Sequence, residues 1–433
     1  MIRAVLAALL ACGCSRALEL FPTRALPSDW GTYADDPSIP GCPDAPELLV
    51  NTVADELDGG PTISDPAQAG PALSLVEAMW IASNRPGPDT IRFDPTVFPT
   101  AAPATIRLSG DNAFPDNPTE PFCLDGRGRG VVVDWDPNAD FRPLSIWRLG
   151  RGSLMVGLTL LHMPYELAVV AAQVAGCRIG TDGTIGFAGA RPWALDALGG
   201  AQIGPLNALG GQVSVRASLA QPPDAHVFGN DIGRDPLTGA LLGGDSGMQL
   251  CQPALIEDNV FATPRAFWLT LESPGDGALV VRKNRFGVDR AGTPIGSGGR
   301  IDSGNLFADP AIVFSENILR DVTVVVPASR FQMTRNSFYG AGSLAFSGPA
   351  VVDPPTIVTA TPTSATLRCG VAGTVEIFSD RAALGETFLA DASCAAGETI
   401  SVSIPTTHAR NLTATLTDAA QRTSTFSTPV AVP

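Results

Sequence analysis

Lysine is almost missing from this chain: of 28 basic residues in 433, only Lys283 is a lysine, and the histidines number three, His162, His226 and His408. The bias toward arginine reads as codon usage, not chemistry. With a formal charge of −15 and no cluster of basic side chains, the chain is not built to meet phosphates, since nucleic-acid binding draws on grouped Lys and Arg to displace counterions. Each histidine lies far in sequence from any cysteine and no Cys-x-x-Cys pair occurs, so a structural zinc site is not expected, nor is any other metal or cofactor. Charged residues make up only 16%, too few for long salt-bridged helices. Beyond the first residues, no segment reaches the roughly 18 apolar residues that a membrane span needs.

What is abundant is glycine (45) and proline (38), with an apolar fraction of 45%. That composition describes short strands and many turns with enough material to bury. The length exceeds the roughly 250 to 300 residues at which single cores stop growing, so several units or one repeat array are expected. At the N-terminus, Arg3 precedes the apolar run Ala4 to Ala11, the pattern of an export signal. Its ending, Leu9-Leu10-Ala11-Cys12, resembles a bacterial lipobox, which implies acylation of Cys12 within a signal over 1–12. A plain secretory signal, or a misplaced start, stays open. Either way the chain is expected outside the cytoplasm, as an outer-membrane lipoprotein, periplasmic or cell-surface, or else secreted. Residues 13–46, rich in Pro, Asp and Ser, read as a tether. Export permits disulfides, and the pairing of Cys14, Cys42, Cys123, Cys177 and Cys251 is left open.

The fold begins near Glu47. A first strand over Leu48 to Thr52 is followed by helical spacing over 72–82, opened by a Ser and stopped by Pro86-Gly87-Pro88, and then by strands at Asp89 to Phe93 and Thr105 to Leu108. The order Val50-Asn51-Thr52, Leu73-Ser74-Leu75-Val76-Glu77-Ala78 and Asp89-Thr90-Ile91-Arg92-Phe93 resembles the CSLREA-type module that opens many bacterial right-handed parallel β-helix proteins. Leu73 and Val76 replace the Cys and Arg of that module. Short apolar runs continue to Phe346. Arg178-Ile179-Gly180-Thr181-Asp182 recurs as Asp231-Ile232-Gly233-Arg234-Asp235, and an Asn before an apolar pair recurs at Asn259, Asn305 and Asn317, with Asn284-Arg285-Phe286 and Asn336-Ser337-Phe338 as looser copies. Spacings of this size suit stacked coils, whose Asn side chains bond neighbouring amides at a bend. Gly157-Leu158-Thr159-Leu160 and Gly199-Gly200-Ala201-Gln202-Ile203-Gly204 are similar to repeats of the same β-helix class.

After Pro354-Pro355, alternating strands such as Thr374 to Phe378 and Leu412 to Thr417 predict a β-sandwich. Its ending, Thr413 to Ser427, resembles the immunoglobulin-like module found behind such helices. Cys369 and Cys394 fall inside that module and are the expected disulfide, contributing about 3 kcal/mol through loop closure. The expected fold is thus all-β: a capped right-handed parallel β-helix over 47–350, then a small sandwich over 356–433.

For chemistry, the pairs of carboxylates and basic residues used by polysaccharide hydrolases and lyases are not evident. Asp134-Trp135-Asp136 to Asp140 spaces oxygen ligands as a calcium loop does, but Ala139 and Ser145 stand where Gly and Glu belong. Asp134, Asp136, Asp140, Asp302, Asp321, Arg282 and Arg320 are the candidates for a glycan or ion site. Trp135, Trp147 and the other tryptophans could stack on sugars, but most read as core or cap residues, since aromatic side chains bury large apolar area. The reading is a monomeric, non-catalytic envelope or secreted protein that binds glycan or mediates adhesion. A lyase or hydrolase of acidic glycans is the alternative, and a structural spacer the third.

Overall fold

The computed structural model describes residues 36–433 except 110–113, 116–117, 137–146, 164–166, 182–192, 217–224, 243–246, 252, 263–267, 272–277, 297, 304–310, 328–330, 348–351, 382–384 and 407–410. They fall into two compact units that divide between residues 267 and 268. Both are built from parallel strands stacked coil upon coil in three sheets, a right-handed parallel β-helix, and the second unit also holds an antiparallel sandwich.

In the first unit the first sheet stacks Glu47–Val50, Asp89–Phe93, Phe122–Asp125, Leu154–Val156, Gln173–Ala175, Gln202–Ile203, Ala225–Phe228 and Ala254–Glu257. The second runs from Ala104–Leu108 to Val260–Phe261, and the third from Arg148–Leu149 to Gly247–Leu250. Side chains alternate in and out along each strand, so parallel register turns every inward position into a column. Leu48, Ile91, Leu124, Met155, Val174, Ile203, Val227 and Ile256 form one such column, each on the residue of the coil before it. All eight are buried, and each contributes about 1.5–3 kcal/mol by leaving water. Ile106, Val133, Leu160, Ile179, Leu209, Ile232 and Phe261 make the matching column of the second sheet.

The helix Leu75–Asn84 closes the first coil. Ser74 is its N-cap: the hydroxyl accepts from the Glu77 N–H, and the Glu77 carboxylate accepts from the Ser74 and Asp58 N–H groups at 3.0 and 2.9 Å. Glu77 is fully buried, so these bonds satisfy a carboxylate that water does not reach. Asn51 joins the first strand to this cap by accepting from the Leu73 N–H at 2.7 Å. The helix stops where Arg85 turns extended ahead of Pro86. The cap depends on the Ser74–Glu77 pair, and Leu73 and Val76 beside it are buried.

A second column runs through the corner between first and second sheets. Asn230 Oδ1 accepts from the backbone and side-chain amides of Asn207 at 3.2 and 2.9 Å, and Asn259 Oδ1 does the same for Asn230 at 3.0 Å each. In the second unit Asn317 serves Asn284, and Asn336 serves Asn317, at 2.9–3.1 Å. Asn305 lies outside the described residues, and Asn284 bonds directly to Asn317. Before each Asn stands a residue with positive φ: Leu206, Gly229, Asp258, Lys283, Glu316 and Arg335. The bend costs a non-glycine residue about 1–2 kcal/mol, which the saturated Asn bonds offset. The Ile-Gly-x-Asp repeat is structural as well. Asp235 Oδ1 closes its turn on the Leu237 and Thr238 amides, and Asp289, in a third copy at Phe286-Gly287-Val288-Asp289, closes on Ala291 and Thr293. Asp182 lies outside the described residues.

In the second unit, Leu279–Arg282, Ile312–Ser315 and Phe331–Thr334 form the first sheet, with inward columns such as Val281, Phe314 and Met333. The sandwich pairs a sheet of Thr356–Thr361, Ser364–Arg368 and Thr399–Ser403 with one of Thr387–Cys394, Gly373–Asp380, Asn411–Asp418 and Val430–Ala431. Leu367, Val375, Ile377, Leu412 and Leu416 fill its core beside the Cys369–Cys394 disulfide. This sandwich is sewn onto the last coil. The Thr423 N–H donates to the Phe331 carbonyl at 3.0 Å, the Met333 N–H donates to Thr423 Oγ1 at 2.8 Å, and the Phe338 N–H donates to the Gly385 carbonyl at 3.1 Å. Phe426 packs edge-on against both Phe338 and Phe378.

Candidate ligand-binding site

Outward positions of the first sheet in the first unit fall into three zones. The middle is covered. Ile39 packs on Cys123, Leu154, Val156, Ala175 and Leu206, and Cys42 is bonded to Cys123. The Pro43 and Pro46 carbonyls accept from Thr90, so residues 36–46, read above as the end of a tether, lie along the sheet.

Toward the first coil is a cleft of about 450 Å³ lined by Glu47, Leu49, Arg92, Phe93, Pro95, Asp125, Arg127 and Arg129. Register brings its members together, because Leu49, Arg92 and Asp125 are directly paired on three successive strands. Arg127 and Arg129 come from the turn Gly126-Arg127-Gly128-Arg129-Gly130. Only glycine fits at Gly126, where a Cβ would stand 2.6 Å from Leu158 and 2.8 Å from the Gly157 carbonyl. Arg127 holds Asp125 with two bonds of 2.8 Å. Arg92 donates through Nη1 to Glu47 at 2.9 Å, and its Nε is 3.8 Å from Asp125. Arg129 donates to the Phe93 and Gly128 carbonyls at 3.2 and 2.7 Å. Asp94 sits in the field of Arg129, but its carboxylate is turned to the Thr96 amide and hydroxyl, which together with the arginine hold its pKa below the usual range.

Beyond the covered zone, Gln173, Gln202 and His226 stand on successive coils, each paired with the one before. His226 stacks on Phe228 with ring centroids 4.3 Å apart, and its Nε2 is 2.9 Å from Glu257 Oε1. This strip offers an aromatic surface flanked by amide and carboxylate groups.

The residues singled out in the sequence are placed as follows. Asp134, on the outer face of the second sheet, is 2.7 Å from His162 Nδ1 and 3.8 Å from Arg107. Asp136 follows Trp135, which is buried and clusters with Trp147 and Phe114, so those rings are core. Asp140, Cys12 and Cys14 lie outside the described residues. Asp302 is on the third sheet and pairs with Arg300 at 2.8 Å, whereas Arg282 ends a strand of the first sheet. Arg320 is on the second sheet beside Asp321, whose carboxylate caps the Ala341 N–H at 2.7 Å. Arg320 and Asp321 therefore meet, whereas Asp302 and Arg282 lie on two other sheets. Cys177 is a buried thiol outside both disulfides, and burial pushes it up to about 12, which suits a packed and unreactive group. Among the described residues no group of three or more His, Cys, Asp or Glu side chains could hold a metal.

Arg92, Arg127 and Arg129 are not among the candidates that the sequence offers. The available signal was the alternation of Arg and Gly immediately after a strand that ends in Asp125. No protein-family model matches the sequence, and no curated protein matches it.

Proposed function

We propose that the chain is a non-catalytic, exported β-helix protein of the cell envelope that binds glycan on the outer face of its first sheet. The strip Gln173, Gln202, His226, Phe228 and Glu257 carries this reading. It repeats hydrogen-bonding groups at the coil spacing, about 4.8 Å, beside a flat aromatic pair, and sugar rings need an apolar platform with polar groups at its rim. The export signal, with Cys12 as its lipidation point, and a first coil of CSLREA type with an immunoglobulin-like module behind the helix fit the same picture of an envelope protein. The test is a glycan array probed with the full chain and with Phe228→Ala. Binding that Phe228→Ala weakens at least tenfold supports the reading, while no glycan binding and no adhesion defect on deletion overturn it.

A second reading, a polysaccharide lyase or hydrolase, is favoured by the contact between His162 Nδ1 and Asp134, since a carboxylate-oriented imidazole can serve as a base. Release of unsaturated or reducing sugar ends by the purified protein, abolished in His162→Gln, would establish it.

A further inference from the structure

The strip beyond the covered zone has the chemistry of a neutral sugar site, but the cleft at the first coil does not. It gathers three guanidinium groups in a chain whose formal charge is −15. Part of that charge is structural: Arg127 grips Asp125, whose side chain is only 8% exposed, and that bidentate pair holds the turn. Arg92 and Arg129 are different. Arg92 uses Nη1 on Glu47, an exposed rim carboxylate, and reaches Asp125 only at 3.8 Å through Nε, while Arg129 uses Nε and Nη1 on carbonyl oxygens that carry no full charge. Each keeps its Nη2 without a partner among the described residues. Arg129 forms no ion pair there, although a guanidinium beside carboxylates ordinarily finds one.

An apolar floor lies between these donors. Leu49 is 40% exposed, one of few large apolar side chains at the surface among the described residues, and Pro95 lines the same cleft. A second hollow, of about 260 Å³, shares Glu47 and Arg92 and is walled by the disulfide-bonded Cys42. The stapled segment therefore fixes one wall, and Arg92 stands between the two spaces.

We infer that the cleft of Arg92, Arg127 and Arg129 binds the carboxylate of an acidic sugar residue, with Leu49 and Pro95 beneath the ring. Guanidinium donors match a planar carboxylate two bonds at a time, and the exposed leucine suits the C–H face of a pyranose. At about 450 Å³ the cleft lies within the roughly 300–1,000 Å³ of small-molecule sites. Glu47 discriminates: an anion that takes Arg92 displaces it, whereas a neutral sugar gains nothing from doing so. This inference rests on the glycan-binding reading only for the polymer that carries the acid.

The experiment is calorimetric titration of the full chain with galacturonate, with a galacturonate oligomer and with its methyl-esterified, neutral counterpart. The variants are Arg92→Gln with Arg129→Gln, which leave the Arg127–Asp125 pair intact, and separately Phe228→Ala. The acidic oligomer is expected to bind more tightly than the ester. The double arginine variant should lose roughly 100-fold for the acidic ligand, about tenfold for each guanidinium removed, with an unchanged Tm. Its affinity for the ester should stay within twofold. Equal affinity for acid and ester, or an arginine variant that binds the acid as the wild type does, overturns the inference. If neutral glycan still binds and Phe228→Ala abolishes it, the glycan reading survives that failure. If galacturonate alone binds and responds to the arginine variant while no polymer binds, the inference stands and the glycan reading falls.

Discussion

The first coil of the N-terminal unit is closed from within, by ten residues of helix whose N-cap and third residue bond each other. The last coil of the C-terminal unit is closed by a sandwich that donates to and accepts from the coil's own edge. The first closure uses local sequence. Ser74, Glu77 and Asp58 lie within 19 residues of one another, and their bonds form as soon as the turn and helix do. The second is non-local, since Thr423 meets Met333 across 90 residues and Glu376 meets Arg335 across 41. Both solve one problem, because an uncovered coil exposes unpaired N–H and C=O groups that invite another chain to add on. Local closures can be read from a motif, whereas non-local ones are visible only in three dimensions.

The comparison can be broken at either end. The largest effect is expected where the stapled segment joins the first coils. Replacing both Cys42 and Cys123 by Ala removes a cross-link over 81 residues and should cost about 4.5 kcal/mol by loop entropy, read as a lower urea midpoint in the intact chain. At the other end, Glu376 is 3% exposed and accepts from the Arg335 N–H at 2.9 Å. Burial pushes its pKa up to about 7, opposed by the Arg335 amide and charge and assisted by Asp391. The folded state thus holds this proton more tightly than the unfolded chain does. Stability from this group is complete below about pH 4.5 and is lost as pH rises through about 7. Glu376→Gln should therefore be stabilising at pH 8, by about 3 kcal/mol at most, and neutral at pH 4. A variant with the wild type's pH slope would refute the assignment.

Thr423→Val leaves the Met333 N–H buried without its acceptor and should cost about 2 kcal/mol. It should also raise hydrogen exchange at Phe331 to Thr334 more than elsewhere, because that strand ends its sheet. Ser74→Ala is the mildest, at about 1 kcal/mol, since Glu77 can still accept from Asp58. If Ser74→Ala proved costlier than Thr423→Val, the local closure and not the sandwich would be the weaker point of design.

Much of the fold was legible because stacking writes itself into the chain. Apolar runs such as Leu154 to Leu160 reappear as columns, and Asn259, Asn284, Asn317 and Asn336 stand at the corner where a bend residue requires them. Asn207 and Asn230 also stack at this corner but precede Ala208-Leu209 and Asp231-Ile232, with a small and a charged residue where Asn259 and Asn317 are followed by Val260 and Ile318. The helix was expected over 72–82 and runs over Leu75–Asn84, because Ser74 caps it and Arg85 precedes a proline. Within 36–46, the composition is that of a tether, yet two residues, Ile39 and Cys42, suffice to seat it. The arginine cleft was hidden because its members lie on three strands and a turn. Their meeting depends on a register that a single sequence does not display.

The asparagine column also sets how the fold can change. Bonded rungs are separated by 23 and 29 residues in the first unit and by 33 and 19 in the second, while the bonds that join them stay between 2.9 and 3.2 Å. The coils are thus indexed by their corners and not by counting residues. Segments between corners can lengthen or shrink by more than ten residues without shifting any strand against its neighbour. Deletion within an outward loop is then a neutral edit, whereas loss of one asparagine removes an index mark, and a strand freed to slip by one residue would turn its buried column to solvent.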